Sequence, residues 1–201
     1  GCPSAASAPT AVTVNPTPAT PTIAAGGPTT FCTGGSVTLT SSATSGNQWS
    51  LNGTPIGGAT AQTYAATASG NYTVIVTSSG CPSAASAPTT VTVNPIPPTP
   101  TIAAGGPTTF CAGGSVALTS SSATGNQWSL NGTPIGGATA QTYAATASGN
   151  YTVIVTTGGC SSLASAPTTV TVTPAPATPT IAAGGSTTFC AGGSVTLTSS
   201  A

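Results

Sequence analysis

Short runs of alternating side chains recur along this chain. In residues 115–119 (SVALT), Val116 and Leu118 fall on one face. In residues 151–155 (YTVIV), Tyr151, Val153 and Val155 share a face, and residues 169–173 (TVTVT) alternate without interruption. A period of two marks a strand with one buried face. Gln127-Trp128-Ser129-Leu130 is a further short run, and the Asn131-Gly132 that follows it is the strongest hairpin-turn dipeptide. Gly-Gly and Pro turns at 105–107, 113–114 and 136–137 separate the runs. Helical periodicity is weak; residues 144–147 tolerate a helix but are too few to form one. The pattern predicts an all-β fold with about seven short strands per unit, as in a β-sandwich. The expected core of the central unit is Ile102, Phe110, Val116, Leu118, Trp128, Leu130, Ile135, Tyr143, Tyr151, Val153, Val155, Val170 and Val172.

The pattern returns at a fixed interval. Cys2, Cys81 and Cys160 are 79 residues apart, as are Cys32, Cys111 and Cys190, and Trp49 and Trp128. Residues 2–80 and 81–159 differ at 10 of 79 positions, and residues 46–76 return letter for letter at 125–155. That period is too long for a solenoid rung and suits a small independent β domain. The frame divides the chain into four parts. Residues 1–16 are the last strand of a preceding repeat, 17–95 and 96–174 are two whole domains, and 175–201 hold the first two strands of a following repeat. The two ends together lack the middle strands of a repeat, so the chain reads as a window on a longer polymer. Its joints are Pro-rich: Asn15-Pro16-Thr17-Pro18, Asn94-Pro95-Ile96-Pro97-Pro98 and Thr173-Pro174-Ala175-Pro176. Such joints are short, extended and stiff, which predicts a linear array.

The quoted residues carry a resemblance. Gly-Gly-Ser-Val-x-Leu-Thr resembles strand B of an immunoglobulin-like domain. Asn-Gln-Trp-Ser-Leu resembles strand C with its core tryptophan (Trp49, Trp128), and Ser-Gly-Asn-Tyr-Thr-Val resembles a tyrosine corner entering strand F (Tyr72, Tyr151). The longer signature adds Thr-Phe-Cys-x-Gly-Gly-Ser-Val, Asn-Gly-Thr-Pro-Ile-x-Gly-Ala-Thr and Val-Thr-Val. It is similar to the tandem immunoglobulin-like repeats of very large surface and secreted proteins of Bacteroidota-type bacteria. The likeness covers the whole chain and implies tandem β-sandwiches in a linear array. The chain departs from such repeats in having no Lys, Asp or Glu.

Six cysteines, Cys2, Cys32, Cys81, Cys111, Cys160 and Cys190, in a repeated, extracellular-looking chain read as disulfides rather than metal ligands. Three pairings are open. Cys32–Cys81 and Cys111–Cys160 would staple each domain. Cys2–Cys32, Cys81–Cys111 and Cys160–Cys190 would tie each class to the next. Cys32–Cys160 would cross one joint. The immunoglobulin likeness implies that strands B and F run parallel, which sets the start of B and the end of F on the order of 20 Å apart. A disulfide needs Cα atoms within about 7 Å. The cross-joint bond therefore fits the implied topology best, leaving Cys81 and Cys111 to further repeats, while the internal staple requires a shifted strand order.

Composition then excludes most chemistry. The chain has no Asp, Glu, His, Lys or Arg. It has no general acid or base poised near neutrality and no activator for a Ser or Cys nucleophile, so no enzyme is expected. No metal site and no cofactor are expected, hard cations finding only carbonyls and hydroxyls. Nucleic acid and anionic membranes are poor partners without phosphate-neutralising cations. No apolar run reaches transmembrane length, so no membrane insertion is expected. Four Asn-x-Thr sequons, at Asn52, Asn71, Asn131 and Asn150, and many Ser and Thr near Pro are candidate glycosylation sites on a surface that lacks charge. Expected partners are neighbouring repeats of the same polymer, glycans, and lateral copies wherever an edge strand lacks a blunting Lys. Pro88, Pro95, Pro167 and Pro174 flank the last strands and serve as substitutes.

Three functions compete. The first is a structural extracellular fibre or stalk, filamentous and at the cell surface. The second is an adhesin segment binding carbohydrate or a surface. Aromatics are only 4% of residues, and Trp128, Tyr143 and Tyr151 are expected in the core, which leaves little to stack on a sugar. The third is ice binding through Thr-x-Thr rows, for which 169–173 reads more simply as a half-buried strand.

Overall fold

The computed structural model describes residues 1–200, and every regular element among them is a β-strand. The first whole repeat contains β1 (Ile23–Ala25), β2 (Thr30–Cys32), β3 (Val37–Ser41), β4 (Asn47–Leu51), β5 (Thr54–Pro55), β6 (Thr63–Ala66), β7 (Gly70–Ser78), β8 (Cys81–Pro82) and β9 (Thr89–Asn94). The second contains β10 (Ile102–Ala104), β11 (Thr109–Cys111), β12 (Val116–Ser120), β13 (Asn126–Leu130), β14 (Thr133–Pro134), β15 (Thr142–Ala145), β16 (Gly149–Thr157), β17 (Cys160–Ser161) and β18 (Thr168–Thr173). Two last strands, β19 (Ile181–Ala183) and β20 (Leu197–Ser199), form a pair.

Each whole repeat has two sheets. One runs β1-β3-β6 and the other β2-β9-β7-β4-β5, with β8 paired to the end of β7; the second repeat repeats this order. Leu39 and Ala66 from the first sheet meet Trp49, Val74 and Val91 from the second in a shared core, which makes each repeat an immunoglobulin-like sandwich. Nine strands stand where about seven are expected from the pattern. The two-residue strands β5 and β8 make up the difference, and two of the remaining seven, β1 and β2, are the halves of a split leading strand. The split falls at Gly26-Gly27-Pro28, where Pro28 offers no N–H to a ladder. Before it β1 pairs antiparallel with β3, and after it β2 pairs parallel with β9 in the other sheet.

The core follows the alternation. In β16 the odd positions Tyr151, Val153 and Val155 are buried. Trp49 and Trp128 are 0% exposed, and each indole N–H donates to a carbonyl, of Ala61 or Ala140, at 2.9 Å. Tyr72 and Tyr151 donate their hydroxyls to the carbonyls of Ala68 and Ala147 at 3.0 Å, the tyrosine-corner bond. Tyr64 and Tyr143 lie between the two, with ring centroids 6.0 Å from the tryptophan and 5.8 Å from the corner tyrosine. The expected core residues of the second repeat pack together with one exception. Val155 is buried but lies outside the cluster, since its ladder partner is Asn126 at the polar end of β13. Ala138 and Ala145 join the core instead.

Residues 10–15 match β9 in sequence except at Ala11, which stands where β9 has Thr90, and form no strand, contrary to the expectation of a last strand in residues 1–16. The β19–β20 pair has the register of β1 on β3. By internal contacts the chain forms two compact units. The first is Gly1–Pro98 with Thr156–Ser162, and the second is Thr99–Val155 with the described residues from Leu163 onward.

Candidate functional site: the cystine of the first unit

The chemistry of this chain gathers at one bond inside the first compact unit. Cys32 is joined to Cys160 with the Cα atoms 5.7 Å apart, across a sequence separation of 128. Cys32 closes β2, whose parallel register on β9 sets it beside Asn94. Thr33 secures this corner, its N–H and hydroxyl both donating to the Asn94 carbonyl at 2.9 and 3.1 Å. Cys160 opens β17 and stands opposite Thr157 across a tight turn. The turn is Gly158-Gly159, with φ of 59° and 80°, the left-handed pair that joins strands of a two-residue hairpin. A side chain at Gly158 would also crowd the Asn94 amide at 3.1 Å.

Asn94 holds the hairpin in place. Its amide Nδ2 donates to the Gly158 carbonyl at 2.7 Å, and its own carbonyl lies 3.8 Å from the Cys160 sulfur. Cys160 is 1% exposed, and Cys32 is half-buried. The within-domain pairs Cys32–Cys81 and Cys111–Cys160 do not form, nor do Cys2–Cys32, Cys81–Cys111 and Cys160–Cys190. Cys2, Cys111 and Cys190 are exposed thiols, and Cys81 is half-buried.

A partial copy of the arrangement surrounds Cys81. The Asn15 amide donates to the Ser79 carbonyl at 3.1 Å, and the Cys81 thiol donates to the Asn15 carbonyl at 3.7 Å. Around Cys111 the arrangement differs, because Thr173 stands where the first repeat has Asn94. Its hydroxyl donates to the Phe110 carbonyl at 3.3 Å and lies 3.8 Å from the Cys111 sulfur.

The remaining candidate residues lie elsewhere. Asn52, Asn71, Asn131 and Asn150 are all exposed. Asn52 and Asn131 occupy their hairpin turns with φ of 51°, and their side-chain oxygens accept the N–H groups of Asn71 and Asn150 at 2.9 Å. The oxygens of Asn71 and Asn150 accept the hydroxyls of Thr90 and Thr169 at 2.8 Å. Trp49, Trp128, Tyr72 and Tyr151 are core residues. Among the described residues no three metal-ligating side chains come together. Among the described residues no helix is long and apolar enough to cross a membrane. Asn94 is the site residue that pattern reading passes over. Its only trace is an Asn-Pro at residues 15–16 and again at 94–95.

No family model matches the chain, and no curated protein matches it. Among solved structures it is similar to a chain of the crystal structure of mouse coronavirus receptor-binding domain complexed with its murine receptor, at 15% identity and a TM-score of 0.49, over 76% of this chain and 100% of that one. It is also similar to the human OSCAR ligand-binding domain, at 16% identity and a TM-score of 0.33, over 77% of this chain and 99% of that one. At those scores neither likeness bears on function.

Proposed function

We propose that this chain is a structural segment of an extracellular fibre or stalk, a linear array of near-identical immunoglobulin-like repeats with no catalysis of its own. The observation that carries this reading is the cystine. Tension entering at one end passes from Cys32 to Cys160 through the sulfurs, and the 128-residue separation encloses β3 to β16 in a closed loop. Those strands cannot be paid out while the bond is intact. Such a bond belongs to an oxidising compartment. The likeness of the repeat signature to large surface and secreted proteins of Bacteroidota-type bacteria supports the same setting. An adhesive role gains nothing from the tryptophans, both fully buried.

Electron microscopy of the unreduced native material tests the proposal. The expected result is straight filaments with one repeat every ~35–45 Å, the length of such a sandwich. Flexible beads ending in a different domain would contradict it. Added density on Asn52, Asn71, Asn131 or Asn150 would identify glycans as the source of solubility.

A further inference from the structure

The sheet edges of each whole repeat differ in how they are closed to a further strand. β1 lies between Pro21 and Pro28, and β10 between Pro100 and Pro107. β2 and β11 begin two residues after Pro28 and Pro107, and β5 and β14 contain Pro55 and Pro134. Proline has no N–H to offer a neighbouring strand, and it blunts natural edges for that reason. The flank of β4 is closed by backbone bonds. The Trp49 N–H donates to the Ala59 carbonyl at 3.0 Å, and the Trp49 carbonyl accepts the Ile56 N–H at 2.9 Å; Trp128 repeats this with Ala138 and Ile135. β9 and β18, the strands flanked by Pro88, Pro95, Pro167 and Pro174, are interior to their sheets and are not edges.

β6 and β15 have none of these devices. Each ends a three-stranded sheet, with only β3 or β12 as its neighbour. No proline occurs in residues 56–81 or 135–166. Beside β15 the Ser120 N–H donates to the Gln141 carbonyl at 2.9 Å, and the register continues with Leu118 on Tyr143 and Val116 on Ala145. Bonded and unbonded pairs alternate along an antiparallel ladder. The N–H and carbonyl groups of Thr142 and Ala144 therefore point away from β12, and among the described residues nothing else bonds them. Both residues are exposed, and Tyr143 between them is half-buried. Thr63, Tyr64 and Ala65 of β6 repeat this, with the Ser41 N–H on the Gln62 carbonyl at 2.9 Å. The usual guard on such an edge is a lysine, and the chain has none.

We propose that β6 and β15 are the lateral contact surface of this chain, each accepting the same strand of a second copy as an antiparallel neighbour. In β15, Thr142 stands opposite Ala144 of the second copy and Tyr143 opposite its Tyr143, which pairs every open backbone group of Thr142 and Ala144. The contact is self-complementary about a two-fold axis, and the facing tyrosines form an aromatic cross-strand pair. Charge selects the occupant. Ordinary domains are about 25% charged residues, which would lose water at this edge without finding a counter-charge. A second copy brings no charged side chain. The lateral contact is independent of the end-to-end array, which stands or falls by filament microscopy.

Amide hydrogen exchange of the 201-residue chain at rising protein concentration tests the contact. The two edges share the sequence Thr-Tyr-Ala-Ala and report together. In dilute solution the amides of Thr142 and Ala144 exchange freely, while β12 protects those of Tyr143 and Ala145. In concentrated solution the amides of Thr63, Ala65, Thr142 and Ala144 slow by roughly tenfold or more, and sedimentation shows dimers and larger species. Ala65→Pro with Ala144→Pro removes outward N–H groups, leaves the ladders to β3 and β12, and abolishes the concentration dependence. Ala65→Lys with Ala144→Lys keeps the backbone unchanged and has the same effect. Thr92→Lys with Thr171→Lys adds equal charge at exposed positions of β9 and β18 and leaves association as in the parent. Edge amides that exchange at one rate at every concentration would overturn the proposal. So would association that survives the edge variants, or that the Thr92 and Thr171 variant loses equally.

Discussion

Single side chains in this molecule act by filling space and pairing backbone groups. Trp128 fills the centre of its sandwich and satisfies its indole N–H at Ala140. Trp128→Ala is expected to cost about 3–5 kcal/mol in urea unfolding, the range for losing a fully buried aromatic. The tyrosine corner sets the pH response. Burial pushes the phenols of Tyr72 and Tyr151 above their ordinary value, outweighing the carbonyl bonds to Ala68 and Ala147 that act the other way. The unfolded chain therefore releases those protons at a lower pH than the folded one, and stability falls as pH rises above about 10. Between pH 4 and 7 no side chain titrates, since the chain has no Asp, Glu or His. The melting temperature is expected to be flat across that window and to decline only in strong base. A large shift between pH 4 and 7 would contradict this. The tryptophans and corner tyrosines are legible in the sequence because each lies in an alternating run. Asn94 is not, because its partner carbonyl is 64 residues away and no local pattern links the two.

At the scale of elements, the ladders depend on hydroxyls wherever strands part. After β17 the chain leaves β16, and the buried Ser165 takes over: its hydroxyl accepts the Val153 N–H at 3.1 Å and donates to the Ala166 carbonyl at 3.0 Å. Ser165→Ala leaves a buried N–H without a partner and is expected to cost about 1–3 kcal/mol, against a few tenths for an exposed threonine of β18. Denaturant curves of the two variants measure the difference. Gly149 closes the corner at φ +148°, where an added Cβ would meet Leu130 Cδ1 at 2.5 Å. Gly149→Ala is therefore expected to destabilise by more than about 1 kcal/mol. The main strands were readable from their period of two. The two-residue strands β5 and β8 were not, being too short to show a period. The split of the leading strand has its only sequence mark in Gly26-Gly27-Pro28, which signals a turn but not a change of sheet.

At the scale of the whole molecule, the repeat itself was plain from the spacing of the cysteines, whereas their pairing was not. Spacing alone does not choose among the three pairings weighed, and the choice depends on how strand ends lie in space. Once formed, the Cys32–Cys160 bond closes a loop across 128 residues of separation, worth about 5 kcal/mol by loop-closure entropy. Reduction, or Cys32→Ser, is expected to lower the unfolding free energy by up to that amount while leaving the Trp128 core native. The proposed role makes a stronger demand, that this bond shields the enclosed strands from tension. Pulling single chains by their two ends, with and without reductant, tests it directly. The account predicts that breaking the bond lengthens the fully stretched chain by about 420–460 Å, the reach of the residues released by the 128-residue separation. An equal stretched length under both conditions would contradict it.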